Sequence, residues 1–175
     1  MSNPTQSIKD QLAELFNEAL LAQQGVTAEY TAAELTFGAP TLYDASVVDL
    51  SAPTARNTVV TASVEVEIEG ADEPTVIESN LHYNRLLVST LISNYGGAVE
   101  GTGDEASTYD LLPALSLLLG TELLEEDFED VILEEIDAEN YTITLRAVPG
   151  SLGYFGEGTL TLTVPPAIEA EGDDD

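Results

Sequence analysis

Two stretches of the chain start with the spacing of an amphipathic helix and then change to the alternation of β-strands, and the second starts one hundred residues after the first. Ser7 and Ser107 each precede a run of apolar residues at helical spacing, and each serine is followed three positions later by an aspartate. This spacing is a helix N-terminal signal. Gly25 and Gly120 follow the two runs, where glycine commonly ends a helix. The pattern predicts two related modules, each opened by one helix.

The second helix contains a proline, and a short segment follows each helix. Because proline lacks a backbone N–H, we expect the second helix to begin near Asp110, which places Pro113 in its first turn. The segments after the helices are predicted to be single helical turns. Each turn is expected to bury one large apolar residue under the main helix, Leu35 in the first module and Phe128 in the second.

A hydrophobic period of two then indicates strands. In residues 57–69 apolar side chains alternate with threonine, serine and glutamate, which is typical of a strand with one buried face. Similar alternation recurs in residues 76–88, 141–146 and 159–164. The inward-facing set is predicted to be Val60, Ala62, Val64, Val66, Ile68, Ile77, Leu81, Tyr83, Leu87, Tyr141, Ile143, Leu145, Leu160, Leu162 and Val164. The sequence therefore predicts an α+β fold of two related modules, each with a helix, a short helical turn and antiparallel strands.

Composition suggests where the modules end. We predict a first module over residues 1–94 and a glycine-rich linker over residues 95–106. A second module is predicted over residues 107–164. The remaining residues, 165–175, are acidic and show no apolar periodicity, so we expect a disordered tail.

The charge balance excludes several classes of partner. The chain has 33 acidic and 4 basic residues, a formal net charge of −29. Binding to nucleic acid or to anionic lipid requires clustered cations, and the four basic residues are scattered. No apolar run is long enough to span a bilayer, so we expect a soluble protein. Repulsion among so many negative charges destabilises the folded state unless salt screens it. The charge therefore favours a salty medium, or a partner that is basic or cation-rich.

The residue types that carry chemistry do not form a recognisable catalytic or metal site. The chain has no cysteine, and its one histidine, His82, is expected to be exposed on the polar face of a strand. Residues 122–139 contain ten carboxylates and no basic residue, but they lack the pattern of a calcium loop. We interpret them as a solvated acidic face over a buried apolar stripe, with weak, diffuse cation binding as the alternative. We predict no enzyme activity, no cofactor and no metal.

A glycine-rich segment supplies the candidate contact residues. Residues 153–158 lack the lysine and the following helix of a phosphate-binding loop, so they are predicted to form a hairpin in which glycines allow unusual backbone angles or close packing. Tyr154 and Phe155 point to opposite faces if the strand is regular. One of them is a candidate partner anchor, and packing within the module is the alternative. Arg85 and Arg146 are predicted to pair with nearby acids or carbonyls.

Three short motifs carry a resemblance to a known group of proteins. They are LTFGAP at residues 35–40, YNRL at residues 83–86 and SLGYFGEGTLTL at residues 151–162. Together they resemble a module of accessory virion structural proteins of large tailed bacteriophages. The resemblance implies a non-enzymatic virion component, in a capsid-decoration, neck, tail or baseplate position, that contacts other virion proteins in many copies.

Two other functions stay open at this point. The first is an acidic mimic of nucleic acid that inhibits a basic host protein. The second is a hydrolase that depends on carboxylates alone, although no specific spacing of carboxylates supports it.

Overall fold

The computed structural model describes residues 7–43, 55–96 and 98–166, and the chain divides into two units between Arg85 and Leu86. The fold is α+β, as predicted. The division comes before the predicted module boundary at residue 94, because residues 86–95 pair and pack within the second unit. Most of the predicted acidic tail, from residue 167 onward, lies outside the described residues.

The first unit consists of one helix and a small antiparallel sheet. In chain order its elements are α1 (Ile8–Gln24), β1 (Thr36–Phe37), β2 (Thr41–Leu42), β3 (Thr58–Val66) and β4 (Thr75–Tyr83). Strand β3 lies in the middle, with β4 along one side and β1 and β2 in succession along the other.

Helix α1 begins and ends where the sequence predicts. The hydroxyl of Ser7 accepts a hydrogen bond from the Asp10 N–H (3.2 Å), and Gly25 ends the helix with a φ of +66°. The buried face carries Leu12, Ala13, Phe16 and Leu20 and packs on β4. Burying this stripe on the sheet supplies the stability that a single helix lacks.

The sheet confirms the predicted alternation in its centre and corrects it at its ends. Val60, Ala62 and Val64 are buried, but β3 ends at Val66 and Ile68 is 53% exposed. The strand predicted over residues 76–88 ends at Tyr83, so Leu87 does not belong to this sheet. The predicted alternation extends beyond the C-terminal ends of β3 and β4, because an alternating sequence does not show where hydrogen bonding between the two strands stops.

The second unit is larger and has two sheets. In chain order its elements are β5 (Leu86–Leu87), α2 (Val88–Tyr95), β6 (Val99–Glu100), α3 (Thr108–Leu119), a 3₁₀ turn (Glu125–Asp127), β7 (Glu134–Asp137), β8 (Asn140–Arg146), β9 (Tyr154–Phe155) and β10 (Glu157–Thr163). The main sheet has the order β6-β10-β8-β7, in which only β6 runs parallel to its neighbour. Strands β5 and β9 form a separate parallel pair.

Two elements of this unit depart from the prediction. Residues 88–95 form α2, whose buried side chains Val88 and Ile92 are four positions apart, as on one helix face. A strand is predicted only up to residue 88, whereas residues 88–95 form a helix that packs against β10. The predicted linker contains β6, which pairs with the end of β10.

Helix α3 begins at Thr108 and includes Pro113, so the predicted start near Asp110 is wrong. The Asp110 carboxylate accepts hydrogen bonds from the N–H groups of Ala106 (2.9 Å) and Ser107 (3.2 Å). This capping box fixes the start of the helix ahead of the proline. The helix therefore lacks the one intrahelical hydrogen bond that residue 113 would otherwise donate.

Both units place a helix against a sheet of mainly antiparallel strands and bury one large residue after that helix. Leu35 is 8% exposed, and Phe128 is 0% exposed immediately after the 3₁₀ turn. The units differ in strand order, and only the second has parallel strand pairs in the described residues. The duplication of one module stays a prediction.

A close approach of helix and strand gives a first testable prediction. A Cβ added at Gly158 would lie 2.7 Å from Ile92 Cδ1 and 3.1 Å from the Ser89 Cα. Because the Cα belongs to the backbone, we expect Gly158→Ala to lower the free energy of unfolding by about 1–2 kcal/mol, measured by urea unfolding. Gly150→Ala, which meets no atom within 4 Å, is the matched control. Equal effects of the two substitutions would contradict the prediction.

Candidate interaction site

Tyr154, one of the two predicted contact residues, is an internal residue of the second unit. It is 8% exposed, and its ring lies 5.0 Å from that of Phe128. Its hydroxyl donates to the Glu122 carbonyl (3.0 Å) and is hydrogen-bonded to the Thr121 hydroxyl (3.2 Å). Burial raises the pKa of Tyr154. This environment favours the alternative of internal packing, whereas Phe155 is half-buried and its contact role stays a prediction.

The glycine-rich segment is not the hairpin that the sequence predicts. Its β9 residues pair in parallel with Leu86–Leu87. Gly156 has a φ of +75°, and a Cβ there would lie 2.7 Å from Leu87 Cδ1. The predicted need for unusual backbone angles and close packing is therefore confirmed at Gly156 and Gly158.

A buried polar cluster lies beneath this segment, and no sequence motif predicts it. The Ser151 hydroxyl donates to Asp127 Oδ1 (2.6 Å) and accepts from the Tyr154 N–H (3.0 Å). The Asp127 carbonyl also accepts from the Val148 N–H (2.9 Å). Ser151 is 2% exposed, so a substrate cannot reach its hydroxyl in this conformation. The serine–aspartate pair therefore holds two loops together and does not form a nucleophilic site.

Several carboxylates of the acidic segment bind backbone groups. Asp130 accepts from the Tyr109 N–H at the first turn of α3 (3.1 Å), where a negative charge is favoured. Asp137 accepts from the Glu139 N–H (2.9 Å) and the Asn140 amide, and these hydrogen bonds lower its pKa. In the described part of the chain, no three acidic or histidine side chains are grouped so that they could hold a metal ion.

The two arginines have different environments. Arg146 donates to Glu157 (2.6 Å) and Glu129 (3.1 Å), which raises its pKa and confirms the predicted pairing with acids. Arg85 is 6% exposed, and its Nε donates to the Thr58 hydroxyl (3.2 Å). Burial lowers the pKa of Arg85.

The backbone of Arg85 is held by one side chain. The Asn57 amide oxygen accepts from the Arg85 N–H (2.8 Å), and the Asn57 amide nitrogen donates to the Arg85 carbonyl (2.9 Å). These two bonds take the place of a strand partner just beyond the end of β4. The same oxygen accepts from the Thr58 hydroxyl (2.7 Å). Sequence reasoning missed this contact because the two residues are far apart along the chain.

His82 is exposed on β4, as predicted, and has an aromatic neighbour. The Tyr43 ring stacks on it with centroids 5.8 Å apart and an interplanar angle of 9°, and the Tyr43 hydroxyl is hydrogen-bonded to its Nδ1. Tyr43 follows β2, so this contact lies on the exposed face of the first sheet.

The strongest candidate for protein contact lies at an edge of the second sheet. Ile132 is 78% exposed and Ile136 is 59% exposed, and between them stand Glu134 and Glu135. All residues of β7 are exposed, and the strand has an irregular register between Glu135 and Asp137. We call residues 132–137 the acidic–apolar edge. Large apolar side chains surrounded by carboxylates fit a partner that has an apolar centre and a basic rim.

Within the described part of the chain, two hydroxyls on the buried face of β4 have no hydrogen-bond partner, and one of them gives a pH-dependent prediction. They belong to Ser79 and Tyr83. Burial raises the pKa of Tyr83 to about 12, although nearby Arg85 acts in the opposite direction. The unfolded chain ionises this tyrosine near pH 10 and the folded chain does so only near pH 12, so stability decreases as the pH rises through this interval.

We therefore expect Tyr83→Phe to flatten the alkaline decrease in stability. At pH 7 it should leave the free energy of unfolding within about 1 kcal/mol of the parent or raise it, since no hydrogen bond is lost. Thermal unfolding between pH 7 and pH 12 measures both effects. An unchanged alkaline slope together with a large loss at pH 7 would contradict the prediction.

The comparisons with known proteins give a family but no function. The chain belongs to a family of unknown function, DUF7941, whose model matches residues 1–168. No curated protein and no solved structure matches the chain. Among the described residues, no helix combines the length and the apolar character needed to cross a membrane.

Proposed function

We propose that this chain is a non-enzymatic structural component of a tailed-phage virion that acts through multi-copy contacts with other virion proteins. The observation that carries the proposal is the acidic–apolar edge, where Ile132 and Ile136 are exposed on a unit with a well-formed core. Elsewhere, the Asp127 carboxylate accepts a hydrogen bond from the Ser151 hydroxyl, and the Asn57 amide oxygen accepts one from the Arg85 N–H. The virion setting follows from the motif resemblance alone.

The chemistry of the edge specifies the kind of partner. Three carboxylates, on Glu134, Glu135 and Asp137, surround the two isoleucines in sequence. A basic partner would be steered towards this edge over long distances, and the isoleucines would supply apolar burial after contact. The proposed partner surface therefore has an apolar pocket bordered by lysine or arginine.

The test is the composition of purified particles. Phage particles that encode this sequence are purified on density gradients, and the chain is quantified by mass spectrometry against the major capsid protein. A fixed stoichiometry is expected. Ile132→Ser should reduce incorporation without loss of folding, and Ile68→Ser, at a residue of the first unit that is 53% exposed, is the control. Absence of the chain from particles would refute the proposal.

The formal charge supports a second candidate, an acidic mimic of nucleic acid that binds a basic host protein. A mimic would co-purify with a host nuclease or polymerase and would be absent from particles. Its binding would also be outcompeted by DNA, because both would occupy the same basic groove. A tagged chain recovered from infected cells, with and without added duplex DNA, distinguishes this function from the first.

The same charge predicts a strong response to salt. With a net charge of −29, the folded chain is destabilised by self-repulsion that added ions screen. We expect the melting temperature to rise continuously as NaCl is added, up to about 1 M, where the Debye length is roughly 3 Å. Differential scanning calorimetry measures it, with sucrose as an uncharged control. A flat response to NaCl would contradict the interpretation of a salt-adapted surface.

A further inference from the structure

Helices α2 and α3 form one layer of the second unit. Helix α2 packs on β10, α3 packs on β8, and the two helices contact each other. Leu160 of β10 and Ile143 of β8 are directly opposite and both buried, and they belong to the same hydrophobic core as the buried side chains of the two helices. The outward sides of α2 and α3 therefore form one surface.

The residues that the two helices expose carry almost no charge. Residues 86–99 and 111–121 contain no charged residue, although the chain has 33 acidic residues. Asp110 is exposed, but it lies in the first turn of α3, where it forms the capping box. We call the other exposed residues of the two helices the neutral helical face: Ser89, Thr90, Ser93, Asn94, Pro113, Leu117 and Leu118.

Helix α1 of the first unit shows that this lack of charge is local. Four of its eight exposed residues are charged, namely Lys9, Asp10, Glu14 and Glu18. Charged side chains on the outward side are usual for a surface helix, and they are expected in a chain of this composition. The neutral helical face is therefore a property of one surface of the second unit.

The α3 part of this face is apolar. Leu117 is 86% exposed and Leu118 is 42% exposed. Pro113 precedes Leu117 by four positions, so the two residues lie on the same side of the helix. Burying these side chains in a contact would remove apolar surface from water, and the hydroxyls and the amide on α2 would supply polar contacts around it.

The charge of the rest of the chain indicates what occupies this face. A basic partner is attracted by carboxylates, as at the acidic–apolar edge, and gains no attraction from a face that lacks them. A second copy also has a charge of −29, and in a two-fold contact a residue near the axis meets the same residue of the other copy. A carboxylate at that position would face a carboxylate. Two copies therefore need a contact surface without carboxylates, and the neutral helical face is such a surface.

We propose that two copies of this protein associate through the neutral helical face, with Leu117 of each copy buried in the contact. The inference deepens the proposed function and rests on it for its biological setting, because it names a second copy as one of the partners in the assembly. The acidic–apolar edge is then left for a partner of opposite charge.

The size of the face makes the dimer weak. Helices of 8 and 12 residues are about 12 and 18 Å long, so the contact is smaller than a standard protein interface. Repulsion between the two chains opposes the association further. We expect a dissociation constant of about 0.01–1 mM in about 1 M NaCl, where this repulsion is screened.

The direction of the salt dependence distinguishes a second copy from a basic partner. The purified chain is examined by sedimentation equilibrium at about 1 mM, in about 0.1 M and about 1 M NaCl. We expect the average mass to rise from 18.6 kDa towards twice that value as salt is added, because screening removes the repulsion. Attraction to a basic partner would instead weaken with salt. A parent chain that stays monomeric in the higher salt, or a dimer that dissociates as salt is added, would overturn the proposal.

A matched pair of variants tests the role of Leu117. Leu117→Glu and Leu21→Glu each add one carboxylate to an exposed position in the last turn of a helix, so their effects on the monomer are alike. Leu117→Glu should weaken the dimer about tenfold or more, because a carboxylate buried in the contact loses its hydration and faces its own copy. Leu21→Glu should change the dissociation constant by less than about twofold. Equal effects of the two variants would overturn the proposal.

A second matched pair tests the α2 part of the face. Asn94 and Gln23 are both exposed and are both the next-to-last residue of their helices, α2 and α1. Asn94→Glu should weaken the dimer at least about threefold, whereas Gln23→Glu should leave it unchanged. If these two variants behave alike, α2 does not belong to the contact and the proposed face is wrong.

The outcomes separate this inference from the proposed function. A chain that dimerises as described but is absent from particles would refute the virion function and leave the dimer standing. A chain that is monomeric in solution, and that enters particles equally well with and without Leu117→Glu, would overturn the dimer and leave the virion function standing.

Discussion

Replacing Phe128 by alanine is expected to lower the free energy of unfolding of the second unit by about 3–5 kcal/mol. Phe128 is fully buried and packs against the ring of Tyr154. It follows the 3₁₀ turn, and its N–H and carbonyl are both bonded, to the Glu125 carbonyl and the Tyr109 hydroxyl. The fixed backbone prevents the surroundings from collapsing into the cavity, so the loss should lie at the upper end of the usual range.

Urea unfolding followed by far-UV circular dichroism measures the total effect, and hydrogen exchange assigns it to residues 86–166. Leu117→Ala is the control, because Leu117 is 86% exposed and its truncation should change stability by less than about 0.5 kcal/mol. A loss at Phe128 no larger than that at Leu117 would mean that the core is not packed as described.

The second large effect is expected in the first unit. Asn57→Ala removes three hydrogen bonds, two to the Arg85 backbone and one from the Thr58 hydroxyl. The substitution leaves the N–H and the carbonyl of the buried residue Arg85 without these partners. We therefore expect the free energy of unfolding to fall by about 2–4 kcal/mol, again measured by urea unfolding.

Two further variants make this result specific. Asn84→Ala loses a single exposed hydrogen bond, from the Asn57 N–H (2.9 Å), and should cost about 0.5–1.5 kcal/mol. Asn57→Asp keeps the acceptor for the Arg85 N–H but loses the donor to its carbonyl, so its loss should be intermediate. If Asn57→Ala and Asn84→Ala lower the free energy of unfolding equally, the hydrogen bonds from Asn57 to the Arg85 backbone do not contribute to stability.

The predicted and observed environments of a side chain agree where that environment depends on residues close to it in sequence. His82 is exposed because strand alternation places it on the polar face, and Arg146 meets carboxylates because they are abundant around it. The contact role predicted for Tyr154 depended on which face of a short strand is covered. That face is decided by Phe128 and the loop at Thr121, which the sequence does not connect to Tyr154.

Local signals by themselves determined the starts and ends of α1, the buried face of β3 and the α+β class, because capping residues and hydrophobic periods act within a few residues. Tertiary structure alone decided that residues 88–95 are a helix and that residues 154–155 pair in parallel with residues 86–87. Each of these depends on contacts between residues distant in sequence, whose free energy exceeds the small preferences of the local chain.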